Sequence, residues 1–369
     1  MNTLDISSLL PVSRTARVSG AENPMQSDFD RTVEPGQSFS IDRFRREDAP
    51  GIAALFSAEY GSSYPIETYY VPERIIAENE SGNIHSVVAR TPTGAIIGHG
   101  ALYRSSPQYP DLYEIGQYII LPEYRTTFAA YKINRFIAET LTALTGPAGI
   151  FGEAVTHVTA TQKSSAQIGM KDVALEMELM PAEAYEKSQS ASGRVSCLIQ
   201  FRSFRDRSQE IFVPLRYREV VEYILADVEI ERTVTPSAQT LPGDAATRFT
   251  SRFFGHAGVG RFNIVGLGGD FERIVTSLER EGRENKTLVF QFFLNLGEPW
   301  AGEAVAVLRG RGYSFGGCVP RWFDADGLLM QKILAPPDFD APRLHSAKAR
   351  QLRDFVRSDW QNPAPAPGL

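Results

Sequence analysis

Residues 112–143 read LYEIGQYIILPEYRTTFAAYKINRFIAETLTA, and the change of period within this stretch decides the fold of the chain around it. Leu112 to Leu121 is rich in β-branched and aromatic residues, the composition of a strand. Pro122 ends it, having no N–H to give to a ladder. From Ala129 the apolar residues take helical spacing, which predicts Ile133, Phe136, Ile137, Leu141 and Leu144 on one face. The turn between them carries Tyr124, Arg125, Thr126 and Thr127, where the first amides of a new helix lack partners. Free N–H groups and the positive end of the helix dipole favour phosphate at such a place. An ordinary strand-to-helix turn is the plainer reading of the same residues.

The totals narrow the function classes. A chain of 369 residues has room for two domains, and 43% hydrophobic with 22% charged residues is a globular composition. A formal charge of -6 argues against a general nucleic-acid surface, and the short basic run FRSFRDR at 201–207 reads as a solvated strand end. Cys197 and Cys318 are too few for a disulfide framework or a zinc site, and both sit in strand patterns as small apolar filling. The five histidines form no HxH or HxxxH pair, so no metal centre is expected. No apolar run approaches the ~18 residues of a membrane span, and the N-terminus lacks the build of a signal peptide. A cytoplasmic protein that uses neither membrane nor nucleic acid is the expectation. Residues 1–36, rich in Ser, Thr, Asn, Asp and Gly, are expected to be a flexible arm.

Along the chain a strand is predicted from Phe39 and Ile41, a helix over Glu47 to Tyr60, and a helical patch over Pro65 to Asn79 broken at Pro72. Strands Ile84 to Arg90 and Ala95 to Tyr103 follow, joined by the turn Thr91-Pro92-Thr93-Gly94. After the opening stretch come a strand at Gly149 to Thr156, a helix at Ala160 to Ile168, and strands at Lys171 to Met180 and Val195 to Phe204. This order resembles the fold of the GNAT superfamily of N-acetyltransferases. The resemblance covers roughly residues 38 to 204. In that family a loop of the form R/Q-x-x-G-x-G/A holds the pyrophosphate of acyl-CoA with its amides. Arg125-Thr126-Thr127-Phe128-Ala129-Ala130 matches the first and last positions, with Phe128 where glycine is usual. QKSSAQIGM at 162–170 resembles the family's helix before its next strand, with Ser165 where many members carry a tyrosine general acid.

The second half repeats the theme. It is predicted to hold a helix over Val213 to Ala226 with Leu215, Val220, Val221, Ile224 and Leu225 apolar, and a polar loop over Glu231 to Ala245. Strands at Thr247 to Phe254 and Arg261 to Val265, Gly266-Leu267-Gly268-Gly269, and a helix from Asp270 to Glu281 come next. Leu288 to Leu294 reads as a central strand, Trp300 to Arg309 as a helix, and Tyr313 to Val319 and Gly327 to Ile333 as strands. The expected fold class is therefore α/β (α+β), two GNAT-like domains at 37–205 and 206–340, each a mixed, largely antiparallel sheet flanked by helices. A C-terminal helix from Arg343 to Trp360 and a Pro-rich tail complete 341–369. GLGG lacks the GxGxxG form and is followed by Asp270, so it reads as a tight turn, and the second half as scaffold or lid.

Acyl transfer to an amine needs a base, a donor for the carbonyl oxygen, and an outlet for the thiolate. The resemblance implies acetyl-CoA or another acyl-CoA as donor, no metal, and a small-molecule amine as acceptor, attacked in a ternary complex. It points to Glu114, on the central strand, as base, or to a water held by it. Glu153 and His157 flank the end of the next strand, and His157 has the intrinsic pKa of a proton shuttle. Gln117, Tyr118 and Ile119 are candidates for the pantetheine arm. Tyr124, Arg125, Thr126, Thr127, Phe128, Ala129 and Ala130 are candidates for the phosphates. Tyr64, Tyr69 and Tyr70 would line the acceptor pocket, with Thr156 and Thr161 as hydrogen-bonders and His99 as wall. For each, a packing or structural role is the plain alternative. Two rival functions stay open: a GNAT-fold binding module without turnover, and transfer from an acyl carrier protein docked on Arg43, Arg45 and Arg46.

Overall fold

Thr91 to Gly94 turns the chain between two antiparallel strands, and Gly94 takes a φ of +86° there. The strands are β2 (Ile84–Arg90) and β3 (Ile96–Tyr103), flanked by β1 (Ser40–Arg43) and β4 (Leu112–Ile120). The computed structural model describes residues 33–61, 64, 66–181 and 193–363. Most of the arm expected at 1–36, and the tail beyond residue 363, lie outside the described residues. Two helices, α1 (Ala49–Tyr60) and α2 (Pro72–Glu80), precede the first hairpin. Phe56 and Tyr69, from α1 and the turn before α2, pack in one cluster with Val88, Ala101 and Ile119 of the sheet.

After β4 come α3 (Ala129–Phe136), a π turn at Ile137–Leu141 and α4 (Thr142–Thr145). Leu144, expected on the apolar face, is instead 60% exposed, while Ile133, Ile137 and Leu141 are buried. The π turn takes up an extra residue and rotates everything after it by roughly 100°. Then follow β5 (Gly149–Val155), α5 (Ala160–Gln167), β6 (Lys171–Pro181) and β7 (Arg194–Ser203).

The second half differs from expectation at its start. Gln209–Val213 is a strand, β8, so Val213 does not open a helix; α6 is Arg218–Leu225, and Leu215 is 74% exposed. Arg232–Pro236, inside the expected polar loop, is β9, which pairs in parallel with β8. Both strands are short, and Pro214 and Pro236 at their ends read as loop residues. The remainder is β10 (Arg248–Phe254), β11 (Val259–Gly266), α7 (Phe271–Glu284), β12 (Val289–Asn295), α8 (Ala301–Gly310), β13 (Ser314–Val319), β14 (Gly327–Ile333) and α9 (Ala347–Gln361). The last helix begins at Ala347, not Arg343, because the Ser346 hydroxyl accepts the Ala349 N–H at 2.8 Å, while the Arg343 amide donates to Thr156 O.

One sheet of twelve strands runs through both halves, in the order β1-β2-β3-β4-β5-β7-β6-β13-β14-β12-β11-β10. Within it the block β3-β4-β5-β7-β6 and the block β10-β11-β12-β14-β13 have the same order and the same directions. In each block the second and third strands are the parallel pair, joined by a helix (α3 or α7). The blocks meet edge to edge where β6 lies antiparallel to β13, with Gly317 opposite Ala174. The main core crosses that seam, taking in Phe151, Leu175 and Phe201 with Phe292, Phe293 and Trp322. Among the described residues no helix is long and apolar enough to cross a membrane.

Gly317 has a φ of +150°, and a Cβ there would lie 2.3 Å from the Ala174 Cα. We expect Gly317→Ala to destabilise the protein by about 3 kcal/mol in urea unfolding, since backbone, not a movable side chain, must give way.

Candidate functional site

The central strand is bent by one residue. His99 stands opposite Ile119 and Ala101 opposite Gly116, so β4 carries an extra residue between them. Gln117 takes it up with a φ of +58°. Three neighbours hold this bulge. The Gln117 carbonyl, an acceptor, lies 2.9 Å from His99 Nδ1, so Nδ1 carries the proton. His99 Nε2 then accepts from the Ser86 hydroxyl at 3.0 Å, and Tyr69 donates to Gln117 Oε1. Burial lowers the His99 pKa to about 4, which keeps the ring neutral. Past the bulge the Tyr118 hydroxyl donates to Asn134 of α3 at 2.7 Å, and Asn134 in turn donates to Ser164 of α5.

Next to the bulge one ladder stops short. β4 and β5 pair at Leu112–Gly149, Tyr113–Ile150 and Glu114–Phe151, and there the pairing ends. Ile115 to Ile120 on one side and Gly152 to Val155 on the other are thus not joined by ladder pairs. A Cβ on Gly152 would lie 3.1 Å from both the side chain and the carbonyl of Ile115, so glycine lets the two chains run close together just past the last pair. In the second half the equivalent strands β11 and β12 stay paired from Val259–Val289 to Ile264–Leu294. The Gly268 and Gly269 region is filled as well: a Cβ on Gly268 would sit 2.3 Å from Ala245 O, and the Gly269 amide donates to Pro242 O. GLGG is a packed turn.

The turn after β4 leads to α3. Tyr124 is buried, and its hydroxyl accepts the Gln37 amide at 3.2 Å. The Thr127 hydroxyl donates to Tyr124 O at 2.6 Å and accepts the Ala129 amide at 3.2 Å. Arg125 turns back to the Ile120 carbonyl at 3.1 Å and pairs with Glu59. Phe128 has φ −81° and its ring is 74% exposed. That conformation suits any residue, so glycine is not required by the backbone here. Thr126 and Ala130 are exposed and Ala129 is buried.

Glu114 stands at the last paired position of β4, partly exposed, accepting from Tyr103 on β3. Burial of its carboxyl raises its pKa to about 7, and the charge of Glu153 adds to this; Ser105, Tyr103 and Arg261 pull the other way. Glu153 on β5 accepts from Arg261 Nη1 at 2.9 Å. Glu176 on β6, fully buried, accepts from Arg261 Nη2 at 2.7 Å and from Gln291 Nε2 at 2.8 Å. Its pKa is raised by burial and then by Glu153. Arg261 itself is 5% exposed and lies on β11, in the other half.

The structure thus brings Glu114 and Glu153 within reach of each other's charge. His157 follows β5, its pKa lowered by burial and by Arg343. The Thr156 hydroxyl donates to Ser196 O at 2.8 Å, and Thr161 is exposed on α5. Tyr69 stacks on Phe56 at 4.2 Å, Tyr64 packs against both, and the Tyr70 hydroxyl accepts the Tyr64 amide at 2.8 Å. Arg45 and Arg46 are paired with Asp42 and Glu80, which neutralises much of the basic patch they make with Arg43. Sequence reasoning missed Arg261, Glu176, Gln291 and Tyr103. The signal was a charged residue inside an otherwise apolar strand, as in VALEMEL and VGRFNIV.

No protein-family model and no curated protein matches the chain. Among solved structures it is similar to an N-acetyltransferase from Staphylococcus aureus Mu50, at 13% identity and a TM-score of 0.36, over 45% of this chain and 98% of that one. A spermidine N-acetyltransferase from Vibrio cholerae aligns at 14% identity and a TM-score of 0.37, over 45% and 93% of the two chains. A GNAT superfamily phosphinothricin acetyltransferase from Sinorhizobium meliloti, in complex with AcCoA, aligns at 16% identity and a TM-score of 0.37, over 45% and 89%. Independently of these likenesses, the strand order, the bulge in β4 and the short β4–β5 ladder give the first half the fold class expected of it, a mixed sheet flanked by helices.

Proposed function

We propose that the first half is an acyltransferase that moves the acyl group of an acyl-CoA, acetyl-CoA in the simplest case, to the amine of a small molecule by direct attack in a ternary complex. The observation that carries this reading is the end of the β4–β5 ladder at Glu114–Phe151, which sets a carboxyl group of raised pKa at the last paired position before an unpaired stretch that the β11–β12 pair lacks. The thioester supplies the activated carbonyl. The unpaired edge of β4, including Gln117, Tyr118 and Ile119, offers backbone groups to the pantetheine arm. The turn Tyr124–Ala130 and the first amides of α3 face the pyrophosphate, with Arg125 released from its exposed pair to Glu59. Such a pair is worth about 0–1 kcal/mol, so little opposes the swing. Glu114 takes the proton of the attacking amine, with Glu153 beside it, as the N–C bond forms; the C–S bond then breaks, and CoA leaves as the thiolate, which takes a proton from solvent. Tyr64, Tyr69 and Tyr70 cover the acceptor. The second half, with the same strand order but a closed β11–β12 pair, is a diverged copy that does not bind the donor.

Calorimetric titration with acetyl-CoA, and separately with CoA, tests this. Binding is expected, and Arg125→Glu is expected to weaken it at least about tenfold with the fold intact. Absence of heat with both ligands and with longer acyl-CoAs would overturn the reading.

A further inference from the structure

Arg261 joins groups from four places in the chain. Nη1 donates to Glu153 on β5 and, at 3.0 Å, to the Ser106 hydroxyl in the loop after β3. Nη2 donates to Glu176 on β6, and Nε to Gln291 on β12 at 2.8 Å. The guanidinium also lies over the rings of Phe254 and Phe293, at 5.7 and 5.6 Å from their centres. A buried arginine so fully engaged is rigid, and each carboxylate it touches would be costly to bury without it. The loop that it grips runs from Ser106 back through Ser105 to Tyr103, whose hydroxyl meets Glu114.

We propose that Arg261, reaching out of the second half, is a positioning residue of the first half's site: it ties Glu153, the neighbour of Glu114 in charge, to Glu176 and to the Ser106 loop, and so keeps the Glu114 carboxyl able to ionise. This rests on the acyltransferase reading for its purpose, though not for its geometry. The second half is then neither lid nor inert scaffold. It supplies the buried cation without which three carboxyl groups would crowd one face of the sheet and hold their protons. Tyr103 from β3 and Ser105 from the following loop hydrogen-bond Glu114, and the groups coupled to it by charge are Glu153 from β5, Arg261 from β11, Cys197 from β7, Glu176 from β6, Tyr64 and Tyr69 from the segment between α1 and α2, and Arg252 from β10. Of these, Arg261 is the buried cation bonded to both neighbouring glutamates.

The test follows the carboxyl itself. In the full chain carrying 13Cδ-labelled glutamate, the resonance that Glu114→Gln removes is titrated by NMR. In Arg261→Met its midpoint is expected to rise by about one pH unit, and in Arg261→Lys by less. The alkaline shift of the kcat/KM profile, measured as thiol release from acetyl-CoA over a panel of primary amines, is expected to match. An unmoved Glu114 midpoint in folded Arg261→Met overturns the proposal. Should that variant fail to fold, Arg261→Gln, which keeps donors for the carboxylates, gives the same reading by the same criterion. If Glu114→Gln leaves turnover unchanged, acyl transfer by this base is what fails, and the NMR midpoint alone decides the role of Arg261.

Discussion

Glu114→Gln is expected to lower kcat/KM for amine acylation by about 10²–10⁴, the range for loss of a general base, while acetyl-CoA affinity stays within about twofold. The amide keeps the shape and the hydrogen bond to Tyr103 but cannot take a proton. The pH profile sharpens the prediction. Glu114 must be ionised to act, and burial with the charge of Glu153 raises its pKa to about 7. Wild-type turnover should therefore rise through about pH 7 and level off above it, and the variant should lose that limb. Stability moves the opposite way. A carboxyl whose folded pKa exceeds its unfolded value of 4.5 favours the fold at low pH, and that contribution is lost as pH rises through about 7. At pH 8 the glutamine variant should thus be more stable than wild type, by no more than about 3 kcal/mol. Kinetics and urea unfolding across pH check both halves of the statement. A binding module without turnover would show the gain in stability with no rate to lose.

Much of this was legible in the residues. The period change at Pro122 marks the strand and helix that carry the turn, and Glu114 stands out as a carboxylate on the central strand. The π turn was not legible, because Leu144 keeps helical spacing in sequence and only the extra residue in the turn carries it outward. β8 and β9 were hidden by their length and by the prolines at their ends. Arg261 was hidden for a deeper reason. Its partners in the first half, Glu153, Glu176 and Ser106, lie more than eighty residues away, and local pattern says nothing about which distant strand the sheet will bring opposite. What sequence does show is the anomaly: a glutamate in VALEMEL and an arginine in VGRFNIV each need a partner if buried.

Trp322→Ala is expected to destabilise the whole protein by about 4 kcal/mol, near the top of the range for emptying a large core site. Trp322 is fully buried and belongs to both halves at once: its ring stacks on Phe293 at 4.0 Å and meets Phe151 edge-on at 5.4 Å. Its indole N–H donates to Asn263 at 2.7 Å, and its carbonyl accepts from the amides of Gln108 and Tyr109. Asn263 donates to the Ser106 carbonyl at 3.1 Å, so the ring pins the loop that also holds Arg261. Alanine would leave a cavity and a buried amide oxygen short of its donor. Trp322→Phe restores most of the stacking without the N–H, and should cost about 1–3 kcal/mol. Urea unfolding measures both losses, and amide exchange at residues 105–110 should quicken in the alanine variant. A loss below about 2 kcal/mol, or two separate unfolding transitions in the wild type, would contradict a shared core. Arg261 can tune a carboxyl in the other half only if the two halves hold each other rigidly, and Trp322 is one residue that touches both.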